Sequence, residues 1–286
     1  MEKQLVLLTG ALLLLSSAVA QPATEVVLFD LSVTSTPVAT NGRNISVHQG
    51  YDNQPFFHPD KDILYYTSAD NTGHTDIVQY DYSTGKSQAL TATPEREYSP
   101  TVTPDKKFVS CIMQRDNGAQ DLGKYPLQGG AATVIINNLT VGYHTWLDDR
   151  TLFLFVLGEP ATLRRYDTIT KRDTILSTNI GRSLHRMPND RMVSFVQKNS
   201  EGPWTIKAVN AGNQVSVLSE TLPGREDLAW LSDGRVLMSD GKTLFIMLPG
   251  KTAWSEVKLT STFPLKNISR IAVNAKGTKL AIVTEE

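Results

Sequence analysis

From Gln54 onward the chain alternates short apolar runs with polar turns, and one phrase keeps returning. At Gln54-Pro55-Phe56-Phe57-His58-Pro59-Asp60-Lys61-Asp62-Ile63-Leu64-Tyr65-Tyr66 an apolar stretch meets a Pro-Asp-Lys turn, and a second apolar run follows. Ser99-Pro100-Thr101-Val102-Thr103-Pro104-Asp105-Lys106-Lys107-Phe108-Val109 repeats that order. Aligned on Asp60, the further copies fall at Asp105, Asp149, Asn189, Asp233 and Lys276, in steps of 40 to 45 residues. Such a period belongs to propellers and solenoids. Three positions before the aligned residue stand Phe57, Val102, Trp146, Arg186, Trp230 and Val273, apolar or aromatic in all but one case.

After each turn comes a run rich in strand formers, at 63–67, 108–113, 152–157, 192–197, 236–239 and 279–284. A third segment with apolar and polar residues alternating lies at 76–81, 121–126, 162–167, 204–209 and 243–248. A short fourth closes each unit at 87–90, 133–136, 173–176, 215–218 and 255–259. Alternation predicts a strand with one buried face, and the Asp, Asn and Gly between runs suit tight hairpins. Four antiparallel strands in about 44 residues make one propeller blade. The last copy stops two strands short, and 25–31 with 38–46 at the other end match the missing pair. Joining the termini in one blade removes the open edges that invite aggregation. The expected fold is all-β, a closed six-bladed propeller forming a single domain over 21–286.

Three stretches carry a family resemblance: Pro59-Asp60-Lys61, Asp76-Ile77-Val78-Gln79-Tyr80-Asp81 and Gly85-Lys86-Ser87-Gln88-Ala89-Leu90-Thr91. Together they resemble the repeat of TolB-type β-propellers. The later copies keep the outline but replace Pro-Asp with Asp148-Asp149, Pro188-Asn189, Ser232-Asp233 and Ala275-Lys276. The resemblance implies a small exported protein without the extra α/β domain of TolB proper. Propellers of this kind serve as protein-binding platforms, as non-catalytic domains of peptidases and occasionally as enzymes, so fold alone does not assign activity.

Composition narrows the classes. The 286 residues are 40% hydrophobic and 20% charged, with a formal charge of −1. That balance, without a basic run, argues against a nucleic-acid partner, which needs clustered Lys and Arg. Met1-Glu2-Lys3, an apolar run from Leu5 to Leu15 and Ala18-Val19-Ala20 have the grammar of a secretory signal peptide over 1–20. The expected product is periplasmic or extracellular, without a transmembrane segment, and monomeric. Cys111, the one cysteine, sits in an apolar run and reads as a small core residue.

In a propeller the first strand of each blade lines a central channel. Near the starts of those strands stand Asp52, Glu97, His144, His185 and either Glu226 or Asp227, with Asn267 in the closing unit. If these converge on one channel mouth they form a ligand site, and His144, His185 and Glu97 form a candidate divalent-metal set. If they do not, they cap turns around a water-filled channel. His48, His58 and His74 read as solvated loop residues. The motifs 70–76 and 116–121 look like calcium loops but lack the closing Glu, which leaves them as hairpin turns. No G-x-S-x-G elbow occurs, and the nearest stretch, Gly181-Arg182-Ser183-Leu184-His185, ends in His. Two readings follow: a binding module for a protein, glycan or small ligand, or a metal-dependent hydrolase or lyase at the channel mouth.

Overall fold

A computed structural model describes residues 22–34, 37–251 and 253–286; segment 1–20, expected from the sequence to be a signal peptide, lies outside the described residues. The described residues form strands and turns without a helix. Two strands come first, β1 (Thr24–Ser32) and β2 (Val38–Asn44). One sheet is β3 (Asp52–Phe57), β4 (Ile63–Ala69), β5 (Thr75–Asp81) and β6 (Lys86–Ala89). The next is β7 (Arg96–Val102), β8 (Phe108–Gln114), β9 (Gln120–Pro126) and β10 (Thr133–Ile136). Then follow β11 (Val141–Trp146), β12 (Thr151–Val156), β13 (Thr162–Asp167) and β14 (Arg172–Thr178). A fourth sheet holds β15 (Ile180–Arg186), β16 (Met192–Gln197), β17 (Thr205–Asn210) and β18 (Val215–Glu220). The remaining strands are β19 (Leu228–Trp230), β20 (Val236–Ser239), β21 (Leu244–Met247), β22 (Ser255–Ser261), β23 (Lys266–Val273) and β24 (Lys279–Glu285).

These last six strands join β1 and β2 in an eight-stranded sheet ordered β19-β20-β21-β22-β2-β1-β24-β23. The amino-terminal strand therefore pairs with the carboxy-terminal one: Thr24 to Asp30 of β1 lie antiparallel against Lys279 to Glu285 of β24. The two halves meet where β2 runs parallel to β22, with Val38 opposite Lys258 and Ala39 opposite Leu259. The first strands of the units form a circuit of neighbours: β3 touches β7, β7 touches β11, then β15, β19 and β23 follow, and β23 returns to β3. The arrangement is that of a β-propeller.

Period-two alternation explains the cores. On β1, Val27, Phe29 and Leu31 enter one apolar cluster with Leu237, Leu280 and Ile282. Val26 and Leu28 of the same strand enter a different cluster with Phe57, Leu64, Tyr66 and Val283. Successive side chains leave a strand on opposite faces, so a strand apolar at every position is buried on both. Further clusters between consecutive sheets centre on Tyr65, Val109 and Cys111, on Ile112, Leu152 and Leu154, on Phe153 and Phe195, and on Val196, Leu228 and Met238. Cys111 is fully buried, and burial holds its thiol pKa well above the usual range, as a core residue requires.

The hairpin turns follow the expected chemistry with local substitutions. Asp105 accepts the Lys107 N–H, and Asp233 accepts the Arg235 N–H. In the third unit it is Asp148, one residue earlier than the aligned Asp149, that accepts the N–H groups of Arg150 and Thr151. In the first unit His58 Nδ1 takes the N–H groups of Asp60 and Lys61 at 3.1 Å. His58 is thus a buried turn cap rather than the solvated residue expected. The Asp70 carboxylate caps its own hairpin through the N–H groups of Thr72 and His74.

Candidate functional site in the central channel

The first strand of a unit does not run straight. Pairing slips between Asn53 and Phe56 on β3, Tyr98 and Thr101 on β7, Val141 and Tyr143 on β11, Ile180 and Leu184 on β15, and Lys266 and Arg270 on β23. Gln54 and Ser99 sit at these slips with φ of 58° and 56°. A bulge inserts an unpaired residue and re-aims the side chains around it. The Gln54 Oε1 atom accepts from Thr67 Oγ1 and from the Ser99 N–H, both at 2.8 Å, so one bulge is tied to the next.

The bulges bring one column of the repeat to the channel. Six residues before the aligned turn position stand Gln54, Ser99, Tyr143, Ser183, Asp227 and Arg270. All six line a single narrow cavity of about 100 Å³. At one end it meets a polar cavity of about 240 Å³, the two sharing Arg182, Asp227, Arg270 and Ile271. At the other end it meets a wider mouth of about 640 Å³ with Phe56, Phe57, Met187 and Trp230 in its wall.

Charge is concentrated on one side of the channel. Asp227 Oδ2 lies 2.7 Å from Arg182 Nη2, and its Oδ1 lies 3.6 Å from Arg270 Nη1. The Glu226 carboxylate accepts the Arg182 backbone N–H at 2.8 Å and pairs with Lys198 Nζ at 3.1 Å. Gly181 makes room for it, since a Cβ there would stand 2.5 Å from Glu226 Oε2. Arg270 Nη2 donates to the Tyr143 hydroxyl at 2.7 Å, and its guanidinium stacks 5.0 Å from that ring. Burial pulls the Arg182 pKa down, but the charge and hydrogen bond of Asp227 more than offset it, and Arg182 stays above its ordinary range. In Arg270 burial is likewise outweighed, by Tyr143 and Asp227.

The expected site residues divide. His144, His185 and Asp227 line the same channel cavity. Glu226 lines the adjoining polar cavity with Asn267. The His144 Nε2 is within 2.7 Å of Ser110 Oγ, and its Nδ1 is buried without a partner. The His185 Nε2 is within 2.9 Å of Ser183 Oγ. Burial lowers the two imidazoles to about 3 and about 4, so both are neutral. Asp52 and Glu97 do not join them. Glu97 is fully buried and accepts from Thr93 Oγ1 at 2.6 Å and Tyr125 OH at 2.7 Å. Asp52 is fully buried at the seam with β1, 3.4 Å from His48 Nε2. Desolvation raises both carboxyl groups to about 7.

The correction has a physical cause. Asp52 and Glu97 stand eight residues before the turn, and Gln54 and Ser99 stand six before it. In a regular strand these positions would share a face. The bulge between them breaks the alternation and sends Asp52 and Glu97 into the protein. Among the described residues no group of three or more His, Cys, Asp or Glu comes together to hold a metal ion, and Glu97 does not line the cavity that His144 and His185 share. Arg182, Arg270 and Tyr143 escaped the sequence reading. For Tyr143 and Arg270 the signal available was the column six before each turn, polar in every copy although in five of the six it lies within a strand.

No protein-family model matches the chain, and no curated protein matches it. Solved structures do. TolB from Acinetobacter baumannii superposes with a TM-score of 0.59 at 14% identity over 92% of this chain, which spans 64% of that protein. A protein designated TolB from Agrobacterium tumefaciens gives 0.71 at 13% identity, over 93% of this chain and 99% of the other. An oligogalacturonate lyase in complex with manganese gives 0.61 at 13% identity, over 94% and 99%. At such identities the likeness is one of fold. The chain has the fold of the TolB-type β-propellers.

Proposed function

We propose that this chain is an exported binding module: a signal peptide over 1–20 followed by one six-bladed propeller domain over 21–286, whose channel receives a protein, glycan or small ligand. The six-blade count is supported by the circuit of first strands and by an apolar cluster between each consecutive pair of units. It treats the eight-stranded sheet as two blades joined at their outer strands. The export reading rests on the residue grammar of 1–20, and among the described residues no helix is long and apolar enough to cross a membrane. The observation that carries the binding reading is the channel cavity lined by a polar side chain from every unit, of five kinds among the six. A rigid ring that presents an amide, hydroxyls, a carboxylate and a guanidinium to one space is suited to selecting a ligand. The alternative, a metal-dependent hydrolase or lyase, needs a ligand set that His144 and His185 do not complete among the described residues.

Native mass spectrometry of the purified protein, after exposure to fractionated small-molecule, glycan and peptide pools, tests the binding reading. A stoichiometric adduct is expected in the wild type and not in Ser269→Trp, which fills the polar mouth of the channel. Equal adducts in both, with the variant folded by circular dichroism, would remove the channel from the function. Amino-terminal sequencing of the exported protein is expected to begin at Gln21, and a mature protein retaining Met1 would overturn the export reading.

A further inference from the structure

We infer that the Arg182–Arg270 end of the channel binds the carboxylate of a small hydroxylated monocarboxylic acid. The inference deepens the binding-module reading and rests on it. Arg270 is the group the protein leaves incomplete. Its side chain is 14% exposed, and of the five N–H donors of a guanidinium only Nη2 reaches a hydrogen-bond acceptor, the Tyr143 hydroxyl. Asp227, its nearest carboxylate at 3.6 Å, is committed to Arg182 at 2.7 Å. A buried charge without full hydrogen bonding is costly, and such a group facing a cavity is completed by a ligand of opposite charge. The polar cavity is lined by three arginines, Arg182, Arg225 and Arg270, the second of which donates to the Asp240 carbonyl, but by only two acidic residues, Glu226 and Asp227. Lys198 draws on Glu226 as well. Positive charge is in excess.

The same groups select among anions. A carboxylate matches a guanidinium fork with two parallel hydrogen bonds. Asp227, held between the two arginines, opposes a second negative charge on the ligand, which disfavours phosphate dianions and polycarboxylates. Ser99 and Ser269 line the adjoining cavities and their hydroxyls have no partner within the protein, so a turn about χ1 offers each to a hydroxyl group on the ligand. Cavities of about 100 and 240 Å³ fall below the roughly 300–1,000 Å³ of drug-sized sites. The ligand is therefore small.

Titration calorimetry with the mature protein tests this, using D-glucuronate and lactate as hydroxylated monocarboxylates of two sizes, with methyl glucoside, butyrate and inorganic phosphate for comparison. At least one of the first two is expected to bind at least about tenfold more tightly than any of the other three. Arg270→Gln should weaken that binding by about tenfold or more. Its melting temperature should be unchanged or higher, because the substitution removes an incompletely paired buried charge. The inference fails if methyl glucoside or phosphate matches the acids, if neither acid binds, if Arg270→Gln leaves binding intact, or if that variant unfolds, which would make Arg270 a structural group. Should the acids fail while the adduct test still shows a ligand that Ser269→Trp excludes, the binding-module reading survives and only the carboxylate assignment falls.

Discussion

The β3–β7 side of the ring and the β15–β19–β23 side carry acidic residues near the starts of their first strands, yet the two sides use them differently. On the first, Asp52 and Glu97 are fully buried, each with a carboxylate oxygen that has no partner. On the second, Glu226 and Asp227 face cavities and are held by Arg182, Lys198 and Arg270. An acid turned into a packed interior is favoured as the neutral carboxyl, whereas an acid set among guanidinium groups makes ion pairs with them. Residue type alone does not separate these outcomes. Position and backbone do: Asp52 and Glu97 stand ahead of a bulge in their strands, whereas Glu226 and Asp227 lead into β19, which pairs without a slip.

The largest expected effect breaks the charged side. Asp227→Ala leaves Arg270 with Tyr143 as its sole partner and should cost about 2–3 kcal/mol in denaturant unfolding, because an unpaired buried charge remains. A loss below about 0.5 kcal/mol would mean that water already serves the arginines, as at an ordinary surface pair.

Glu97→Gln sharpens the other side. Desolvation raises the folded-state pKa of Glu97 from 4.5 to about 7, with Asp76 adding to the rise. The folded protein then holds a proton that the unfolded chain releases above pH 4.5, so the stability Glu97 lends is complete below 4.5 and is lost as pH rises through about 7. Replacing it with a neutral amide that keeps the acceptor for Tyr125 should flatten this dependence. The variant should gain on the order of 1–3 kcal/mol relative to wild type between pH 5 and pH 8, measured by urea unfolding at both. Parallel pH profiles for the two proteins would refute the buried-acid description.

The smallest effect compares two matching joints. Trp146 Nε1 donates to Ser110 Oγ across one interface at 2.9 Å, and Trp230 Nε1 donates to Ser194 Oγ across another at 2.8 Å. Trp→Phe should cost about 1 kcal/mol at each. The cost should be greater at Trp146, which is buried and whose Ser110 partner also meets His144, than at the half-buried Trp230. Thermal melts of the two variants resolve the order.

Much of the fold was legible along the chain because strands and hairpins are local. The run predicted at 192–197 is β16, that at 236–239 is β20 and that at 133–136 is β10. The pairing of 25–31 with the last strand was legible from a repeat two strands short, and Val26 to Phe29 are buried there. Less of the site could be read. His144, His185 and Asp227 do share the channel. Asp52 and Glu97 were misplaced because a one-residue bulge reverses the face of what precedes it. The contact between Arg270 and Tyr143 joins residues 127 apart, with no local sequence signal.

By itself the sequence determined the repeat, its period, the strands within each unit and the capped turns between them, since each depends on residues a few positions apart. The tertiary structure decided which column of the repeat faces the channel and how the charges there are shared. Strand bulges set the first, and closure of the circuit sets the second by bringing Arg182, Asp227 and Arg270 from separate units into one cluster.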